Sequence, residues 1–154
     1  MKKQKGFSLI ELLIVVAIIL IIAAIAIPNL LRSRMAANEA SAVGSLRTLN
    51  TAAVTYSSAY PSVGYPASLA VLKPATTATS ASADLVDSVL ASGTKSGYAF
   101  TWTAGSGTPS TGYSINADPV SPNTSGTRGF YTDQSGVIRY ASASGAASSD
   151  SPLQ

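Results

Sequence analysis

The sequence predicts an α+β protein in which a long N-terminal α-helix packs on a small antiparallel β-sheet. An apolar stretch without any polar or charged side chain runs from Leu12 to Ile27. After Arg34, apolar residues recur every three or four positions up to Tyr60, which is the pattern of an amphipathic helix. Beyond Gly97 the pattern changes to short alternating stretches separated by glycine and proline, which is typical of strands and turns.

The apolar stretch is long enough to cross a lipid bilayer. It continues past Ile27 to Leu31 and is stopped by Arg32 and Arg34. About twenty residues of helix span about 30 Å, which is the thickness of a bilayer core. The carboxylate of Glu11 stands at the start of this stretch. A charge there costs roughly a few kcal/mol unless it is paired, so the sequence implies a partner for Glu11.

Charge and composition exclude several classes of function. The net charge is +3, but Lys2, Lys3 and Lys5 lie in the first five residues. Without these lysines, seven of the ten basic side chains remain, and they balance the seven acidic ones. We therefore predict no nucleic-acid partner. The chain has no cysteine and no histidine, so disulfides, thiolate chemistry, the commonest general base and the commonest zinc ligand are all missing, and we expect no cofactor.

Two simple interpretations of the N-terminus leave Glu11 unexplained. In the first, a basic segment and an apolar segment form a secretory signal peptide that is cleaved after the small residues 24–26. However, Glu11 lies where the apolar core of a signal peptide should begin. In the second, the chain keeps an uncleaved single-pass anchor, and Lys2, Lys3 and Lys5 hold the N-terminus in the cytoplasm.

A third interpretation comes from resemblance. The stretch KGFSLIELLIVVAIILIIAAIAIPNLLRSR, residues 5–34, resembles the N-terminus of bacterial type IV prepilins and pseudopilins. The resemblance implies that residues 1–6 are a leader peptide and that prepilin peptidase cuts between Gly6 and Phe7. It also implies that Phe7 becomes the N-methylated first residue. Glu11 matches the acidic residue of the family, and Pro28 matches its helix-interrupting proline.

The positions of Phe7 and Glu11 agree with this resemblance on physical grounds. Cleavage after Gly6 creates a new ammonium group on Phe7, four residues before Glu11. Residues at i and i+4 share a helix face, and the side chain of a helical glutamate leans toward the N-terminus. We therefore expect a salt bridge between Glu11 and Phe7, within one chain or between neighbouring subunits. The alternative is a carboxylate that only reaches for the lipid–water interface.

The resemblance implies a structural role rather than an enzymatic one. The expected function is that of a pilin, which polymerises into a type IV pilus and has copies of itself, prepilin peptidase/methyltransferase and the pilus assembly machinery as partners. The expected location is the inner membrane, with a cytoplasmic N-terminus, before assembly and the extracellular pilus afterwards. A pseudopilin of a type II secretion system is the alternative within the family. A membrane-anchored enzyme or ligand-binding domain is the alternative of another class.

The long helix is predicted over residues 7–60, with a membrane-spanning or filament-core part (7–31) and an amphipathic part (32–60). The residues of the amphipathic stripe are Met35, Glu39, Ala42, Leu46, Leu49, Ala53, Tyr56 and Tyr60. The faces predicted to meet water carry Arg32, Ser33, Asn38, Ser41, Ser45, Thr48, Thr51 and Thr55. Pro61 disfavours helix for the residue before it and so predicts the end. Pro28 is predicted to break the helix locally and to make residues 24–28 a weak point.

The remaining residues are predicted to form a linking region and a sheet. Residues 61–96 read as a loop region with a short helical stretch at 83–90. Strands are predicted at 97–103 and 112–118, and a hairpin at 128–141 with its turn at 133–136, which gives three or four antiparallel strands in residues 97–154. The low-complexity end, residues 142–154, is predicted to be mobile, although the tails of pilins often pack on the sheet.

Other candidate sites are weak. A Ser-Lys pair at Lys95 and Ser96 reads better as an exposed loop lysine beside a serine. Asp118, Asp133 and Asp150 are scattered one to a turn without the spacing of a calcium loop, so they read as turn residues. We expect no metal site and no catalytic residue.

Overall fold

A computed structural model of the chain describes residues 6–142 and 144–153. These residues form two compact units whose boundary lies between Arg34 and Met35. The first helix, α1, spans Leu9–Ala59 and contributes to both units. It begins two residues later than predicted, because Phe7 and Ser8 are not helical, and it ends at Ala59, one residue before the predicted end at Tyr60. The lysines predicted to hold the N-terminus in the cytoplasm, Lys2, Lys3 and Lys5, lie outside the described residues.

The first unit is the apolar half of α1. Every side chain from Phe7 to Arg34 is exposed in the isolated chain apart from Ala23, which is half-buried. By length and composition, α1 is the one helix of the described residues that could cross a membrane. The apolar half therefore has nothing within its own unit to pack against.

The second unit begins with the amphipathic half of α1. The predicted stripe is confirmed: the buried residues of α1 are Glu39, Ala42, Ser45, Leu46, Leu49, Ala52, Ala53 and Tyr56. The prediction was wrong for Ser45, which was assigned to the water-facing side. Ser45 follows Ala42 by three positions and precedes Leu49 by four, so it lies on the same helix face as both. Met35 and Tyr60, at the two ends of the stripe, are only half-buried.

The segment between α1 and the sheet contains more structure than predicted. It forms a 3-10 turn at Leu69–Leu72, a short helix α2 at Ser88–Ala91 and a strand β1 at Thr94–Lys95. The helix predicted at 83–90 is therefore shorter and begins later. Three hydrogen bonds explain this. Ala83 and Leu85 donate backbone hydrogen bonds of 2.8 and 3.1 Å to the Leu69–Leu72 turn, and the side chain of Asp87 caps α2 by accepting from the Leu90 N–H at 2.8 Å.

The sheet has five antiparallel strands in the order β1-β2-β3-β4-β5, where three or four were predicted. The four longer strands are β2 Tyr98–Ala104, β3 Tyr113–Pro119, β4 Arg128–Asp133 and β5 Arg139–Ser142. The predicted turn of the β4–β5 hairpin is confirmed. Asp133 accepts there from the N–H groups of Ser135 (2.9 Å) and Gly136 (2.9 Å), and Gly136 has a φ of +74°.

One face of the sheet packs on the amphipathic half of α1. The buried strand residues Tyr98, Phe100, Tyr113, Ile115, Ala117 and Phe130 join Leu46, Leu49, Ala53 and Tyr56 in one core. The half-buried amide of Asn50 crosses from helix to sheet. It donates to Thr132 Oγ1 at 2.9 Å and accepts from Tyr113 Oη at 3.0 Å. The core of the second unit is thus shared between helix and sheet, as the pattern predicted.

The C-terminal segment is attached to the outer face of the sheet and to the edge of β5, which corrects the prediction of a mobile tail. Asn116 Nδ2 donates to the Ala146 carbonyl at 2.7 Å, and Arg139 Nη1 donates to the Asp150 carbonyl at 2.8 Å. Leu153 donates its N–H to the Ile138 carbonyl at 2.7 Å. Strand side chains and the backbone edge of β5 both hold the tail, and the composition of the tail does not reveal either contact.

Candidate functional site

The predicted cleavage position lies in exposed, non-helical chain just before α1. Phe7 is 83% exposed, and apart from the chain neighbours of Gly6 no heavy atom of the described residues lies within 4 Å of the position that a Cβ on Gly6 would take. Neither residue belongs to the helix, which begins at Leu9. Within the described residues, the Gly6–Phe7 peptide bond is therefore open to the approach of another protein.

Glu11 has a partner that the sequence interpretation missed. Its Oε2 accepts a hydrogen bond of 2.8 Å from the backbone N–H of Ser8. Ser8 precedes α1 directly, and its carbonyl accepts the first helical bond, from Leu12 N–H at 3.2 Å, so Ser8 is the N-cap residue. A serine at the N-cap with a glutamate three residues later is the capping-box pattern, in which the glutamate reaches back to the N-cap amide.

The capping box changes the expected geometry of Glu11 and Phe7. Both residues were expected on one helix face, but Phe7 lies outside α1 and its nitrogen is in the peptide bond with Gly6. The local signal was present in the sequence as Ser8-Leu9-Ile10-Glu11. The pairing of Glu11 with a processed Phe7 stays a prediction, because it concerns the chain after cleavage.

Pro28 does not end the helix. It lies inside α1, which continues to Ala59. Since proline has no N–H, the carbonyl of Ala24 lacks its usual helical donor, and the proline ring crowds the same turn. Residues 24–28 therefore lie in an unbroken helix that lacks one backbone hydrogen bond, and their weakness and stretching stay predictions.

A second polar site, also missed from the sequence, joins the amphipathic helix to the sheet. The buried carboxylate of Glu39 accepts four hydrogen bonds: from Thr127 N (2.8 Å), Thr127 Oγ1 (2.8 Å), Arg128 N (3.2 Å) and Arg128 Nε (2.9 Å). Burial alone would raise the pKa of Glu39, but the hydrogen bonds from Thr127 and the ion pair with Arg128 outweigh it and hold the pKa below its usual value. The site fixes the loop before β4 against α1.

The weaker candidates take structural roles. Lys95 Nζ lies 3.0 Å from Asp87 Oδ2 on the surface. Asp118 and Asp150 accept from the backbone N–H groups of Gly145 (2.8 Å) and Ala147 (2.7 Å). Among the residues that the structure describes, no three acidic or other metal-binding side chains form a group that could hold a metal ion.

A cleft of about 450 Å³ lies beside Arg128 and Tyr140, where the tail residues Ser151, Pro152 and Leu153 form its other wall. Its side chains include no pairing of a nucleophile with a general base of the kind that covalent catalysis requires. The described geometry thus offers a capped helix start at Glu11 and a buried carboxylate at Glu39 that joins helix to sheet.

Comparison with known proteins addresses the N-terminal segment directly. Residues 1–27 match the family model described as the prokaryotic N-terminal methylation motif. The chain is 64% identical over 39 residues to the type IV wide pilus major component PilA4 of Thermus thermophilus, which is 25% of this chain and 30% of that protein. The N-terminal segment is similar to that of type IV pilin-family proteins.

Two further relatives extend the comparison. The type IV major pilin protein PilA of Myxococcus xanthus is 50% identical over 50 residues, 32% of this chain and 23% of that protein. The type II secretion system core protein G of Vibrio cholerae is 36% identical over 77 residues, 48% of this chain and 53% of that protein. The matched regions thus span between about a quarter and a half of these relatives' own length. No solved structure is a significant match.

Proposed function

We propose that this pilin-family chain is a structural subunit that polymerises into a type IV pilus. The observation that carries the proposal is the exposed apolar half of α1, most of which lies within the match to the prokaryotic N-terminal methylation motif at residues 1–27. An apolar helix surface of this size must be covered by lipid or by other apolar helices. A bundle formed by the same helix from many copies provides that cover outside the membrane.

The energetics favour a reversible polymer. Moving an apolar helix from lipid into a bundle of apolar helices brings little hydrophobic gain, because lipid tails are as apolar as leucine side chains. Packing and specific polar contacts must then set the register between subunits. Glu11 is the acidic residue of this half of the helix, and we assign it to a salt bridge with the ammonium group of Phe7 on a neighbouring subunit.

Processing precedes assembly in this proposal. Prepilin peptidase cuts between Gly6 and Phe7, and Phe7 is then N-methylated. Residues 1–6 are the leader, 7–31 the membrane-spanning segment and later the filament core, 32–60 the amphipathic helix, and 97–154 the sheet and tail. Before assembly the chain lies in the inner membrane with its N-terminus in the cytoplasm. Afterwards it is part of an extracellular filament, and the assembly machinery and its own copies are its partners.

A pseudopilin is the second candidate, and one observation favours it. The match to the Vibrio cholerae secretion protein covers more of this chain than the matches to the two pilins. Deletion of the gene in the source bacterium separates the two candidates. Loss of surface filaments with normal protein secretion supports the pilin, whereas loss of secreted proteins with normal surface filaments supports the pseudopilin.

The direct test of polymerisation is Glu11→Ala in the full-length precursor. The matched control is Asp133→Ala, which also removes one carboxylate but at the turn between β4 and β5. Membrane levels of the subunit are measured by immunoblotting and surface filaments by electron microscopy. We expect normal membrane levels for both variants and a loss of filaments for Glu11→Ala alone. Normal filaments from Glu11→Ala would refute the proposed role of this residue, and enzymatic activity of the unpolymerised chain would support the membrane-anchored enzyme instead.

A further inference from the structure

The edge of β5 that faces away from β4 is covered by residues 151–153 of the same chain, which we call the edge cap. Tyr140 in β5 donates its N–H to the Ser151 carbonyl at 3.1 Å. Leu153 donates its N–H to the carbonyl of Ile138, just before β5, at 2.7 Å. The edge cap therefore occupies backbone groups that β5 would otherwise present to a further strand.

The direction of the backbone groups places Pro152 at the outside of the edge cap. Pro152 lies opposite Arg139 as an antiparallel pair, and the two hydrogen bonds lie on either side of this pair. In such a pair the backbone groups of both residues point away from each other. Arg139 accordingly faces β4, where it pairs with Tyr131, and position 152 faces outward. Because proline has no N–H, this outward position offers a further strand a carbonyl but no donor.

The segment beneath the edge cap has the composition of a strand that pairs readily with its own copies. Val137, Ile138 and Tyr140 are β-branched or aromatic residues, which favour strand structure, and the side chains of Val137 and Tyr140 are exposed. Segments of this kind associate edge to edge when their backbone edge is open. A second copy of the chain carries the same segment and is therefore the partner that an uncovered edge would bind.

The opposite edge of the sheet is protected in a different way. It is formed by β1, which has two residues, Thr94 and Lys95. So short a strand with a lysine offers little to a further strand. The four residues of β5 form a longer edge. The edge cap thus supplies at β5 the protection that shortness and charge supply at β1.

The position of the edge cap does not depend on its two backbone bonds alone. The half-buried side chain of Leu153 packs against the core of the second unit. Just before the edge cap, the Asp150 carbonyl accepts from Arg139 Nη1 at 2.8 Å. The edge cap is therefore held by an apolar contact at one end and a charged donor at the other.

We propose that residues 151–153 protect the sheet against strand addition: they occupy the edge of β5, and Pro152 closes the new outer edge to a second copy of this chain. The inference concerns the sheet alone and goes beyond the proposed function, because it holds for a pilin and a pseudopilin alike. The role of Pro152 depends on the N–H that proline lacks and not on a side-chain contact.

Release of the edge cap is tested with Leu153→Pro in the full chain in detergent micelles, because proline removes the N–H that pairs with Ile138. Hydrogen exchange at the Tyr140 amide is followed by NMR. We expect about tenfold faster exchange than in the wild type, with slow exchange retained between β2 and β3. The matched control is Ser148→Pro in the turn before the edge cap. The Ser148 N–H has no partner among the described residues, so exchange at Tyr140 should not change.

Strand addition is tested with a synthetic peptide of residues 136–142, which is the segment that a second copy would offer. Binding is followed by the chemical shifts of the β5 amides. We expect saturable shifts in Leu153→Pro and none in the wild type or in Ser148→Pro. Pro152→Ala keeps both inward bonds and gives the outer edge an N–H. This variant should combine slow exchange at Tyr140 with peptide binding that is weaker than in Leu153→Pro.

The proposal is overturned if Leu153→Pro binds no more peptide than the wild type, because the edge cap then blocks nothing. An unchanged exchange rate at Tyr140 in Leu153→Pro would contradict the assigned pairing. Binding by Leu153→Pro without binding by Pro152→Ala would refute the role of Pro152. None of these results bears on the filament role of Glu11, which is measured separately.

Discussion

Glu39 on α1 and Arg128 at the start of β4 form an ion pair in which Arg128 Nε donates to Glu39 Oε2 at 2.9 Å. The glutamate is buried and the arginine half-exposed. The same carboxylate also accepts the backbone N–H groups of Thr127 and Arg128. Helix and sheet are therefore joined at this point by a charge that has several donors, which is the condition under which burial of a charge is tolerated.

The first prediction concerns Glu39→Ala. Removing the carboxylate leaves the amide of Thr127 without its acceptor, so we expect the free energy of unfolding to fall by roughly 1–3 kcal/mol. Thermal unfolding of the full chain in detergent, followed by circular dichroism, measures the loss. Thr55→Ala, an exposed change on the same helix whose hydroxyl bonds to its own helix at Thr51, is the control and should cost much less. Equal losses for the two variants would contradict the structural role of Glu39.

The pH dependence of stability follows from the same residue. The pKa of Glu39 is lower in the folded chain than its ordinary value of 4.5, so the folded state binds this proton less readily than the unfolded state. The stabilisation is therefore complete above the ordinary pKa and is lost as the pH falls through the folded value. We expect Glu39→Gln to flatten the decline in stability below about pH 4.5, relative to the wild type.

Periodicity explains why most of the fold could be predicted from the sequence, whereas the contacts of Glu39 with Thr127 and Arg128 could not. The stripe on α1 and the alternation in β2 and β3 depend on neighbours within one element. The Thr127 partner of Glu39 lies 88 positions along the chain, and no local pattern reports a contact of that range. Glu39 was visible only as the single acidic residue of an apolar stripe.

Asp87 allows a helix cap and a surface ion pair to be compared in one side chain. Its Oδ1 accepts from Leu90 N–H, and its Oδ2 pairs with Lys95 Nζ. We expect Asp87→Ala to cost about 1 kcal/mol through the lost cap. Lys95→Ala should cost about 0.5 kcal/mol or less, because exposed ion pairs contribute little. Chemical denaturation of both variants checks the order, and a larger loss from Lys95→Ala would show that the cap is not what stabilises α2.

Attachment of the tail depends on Asn116, which donates to the Ala146 carbonyl. We expect Asn116→Ala to raise hydrogen exchange at backbone amides of residues 145–153 and to make the tail easier to cleave by protease. Thr101 pairs with Asn116 across the same sheet face and is exposed, so Thr101→Ala is the matched control. A tail that stays protected in Asn116→Ala would show that other contacts hold it.

The tail and the capping box mark the limits of composition-based prediction. Serine, glycine and alanine predict disorder because they bury little apolar surface, yet Asn116 and Arg139 hold the tail through its backbone carbonyls. For Glu11, the resemblance predicted a salt bridge with Phe7, and the hydrogen bond from the Ser8 amide was not predicted. In both cases backbone groups are the partners. The spacing of Ser8 and Glu11 signalled the helix cap, whereas no residue pattern showed where the tail carbonyls lie.

Pro28 provides a prediction about mechanics. If residues 24–28 are the weak point of α1, filaments of Pro28→Ala should extend less under force than wild-type filaments, because alanine restores the hydrogen bond to the Ala24 carbonyl. Optical-tweezer extension and the helical density of α1 in electron microscopy maps measure this. Equal extensibility and equal helix continuity in the two filaments would rule out the weak point.

Mass spectrometry of the mature N-terminus tests the central claim most directly, because processing must precede every later step. The protein is isolated from the membrane and from surface filaments of the source bacterium, and its first residue is determined by intact mass and peptide sequencing. The account predicts a chain that begins at Phe7 and carries one added methyl group on its nitrogen. A chain that begins at Met1, or at Ile27 after signal-peptide cleavage, would contradict it.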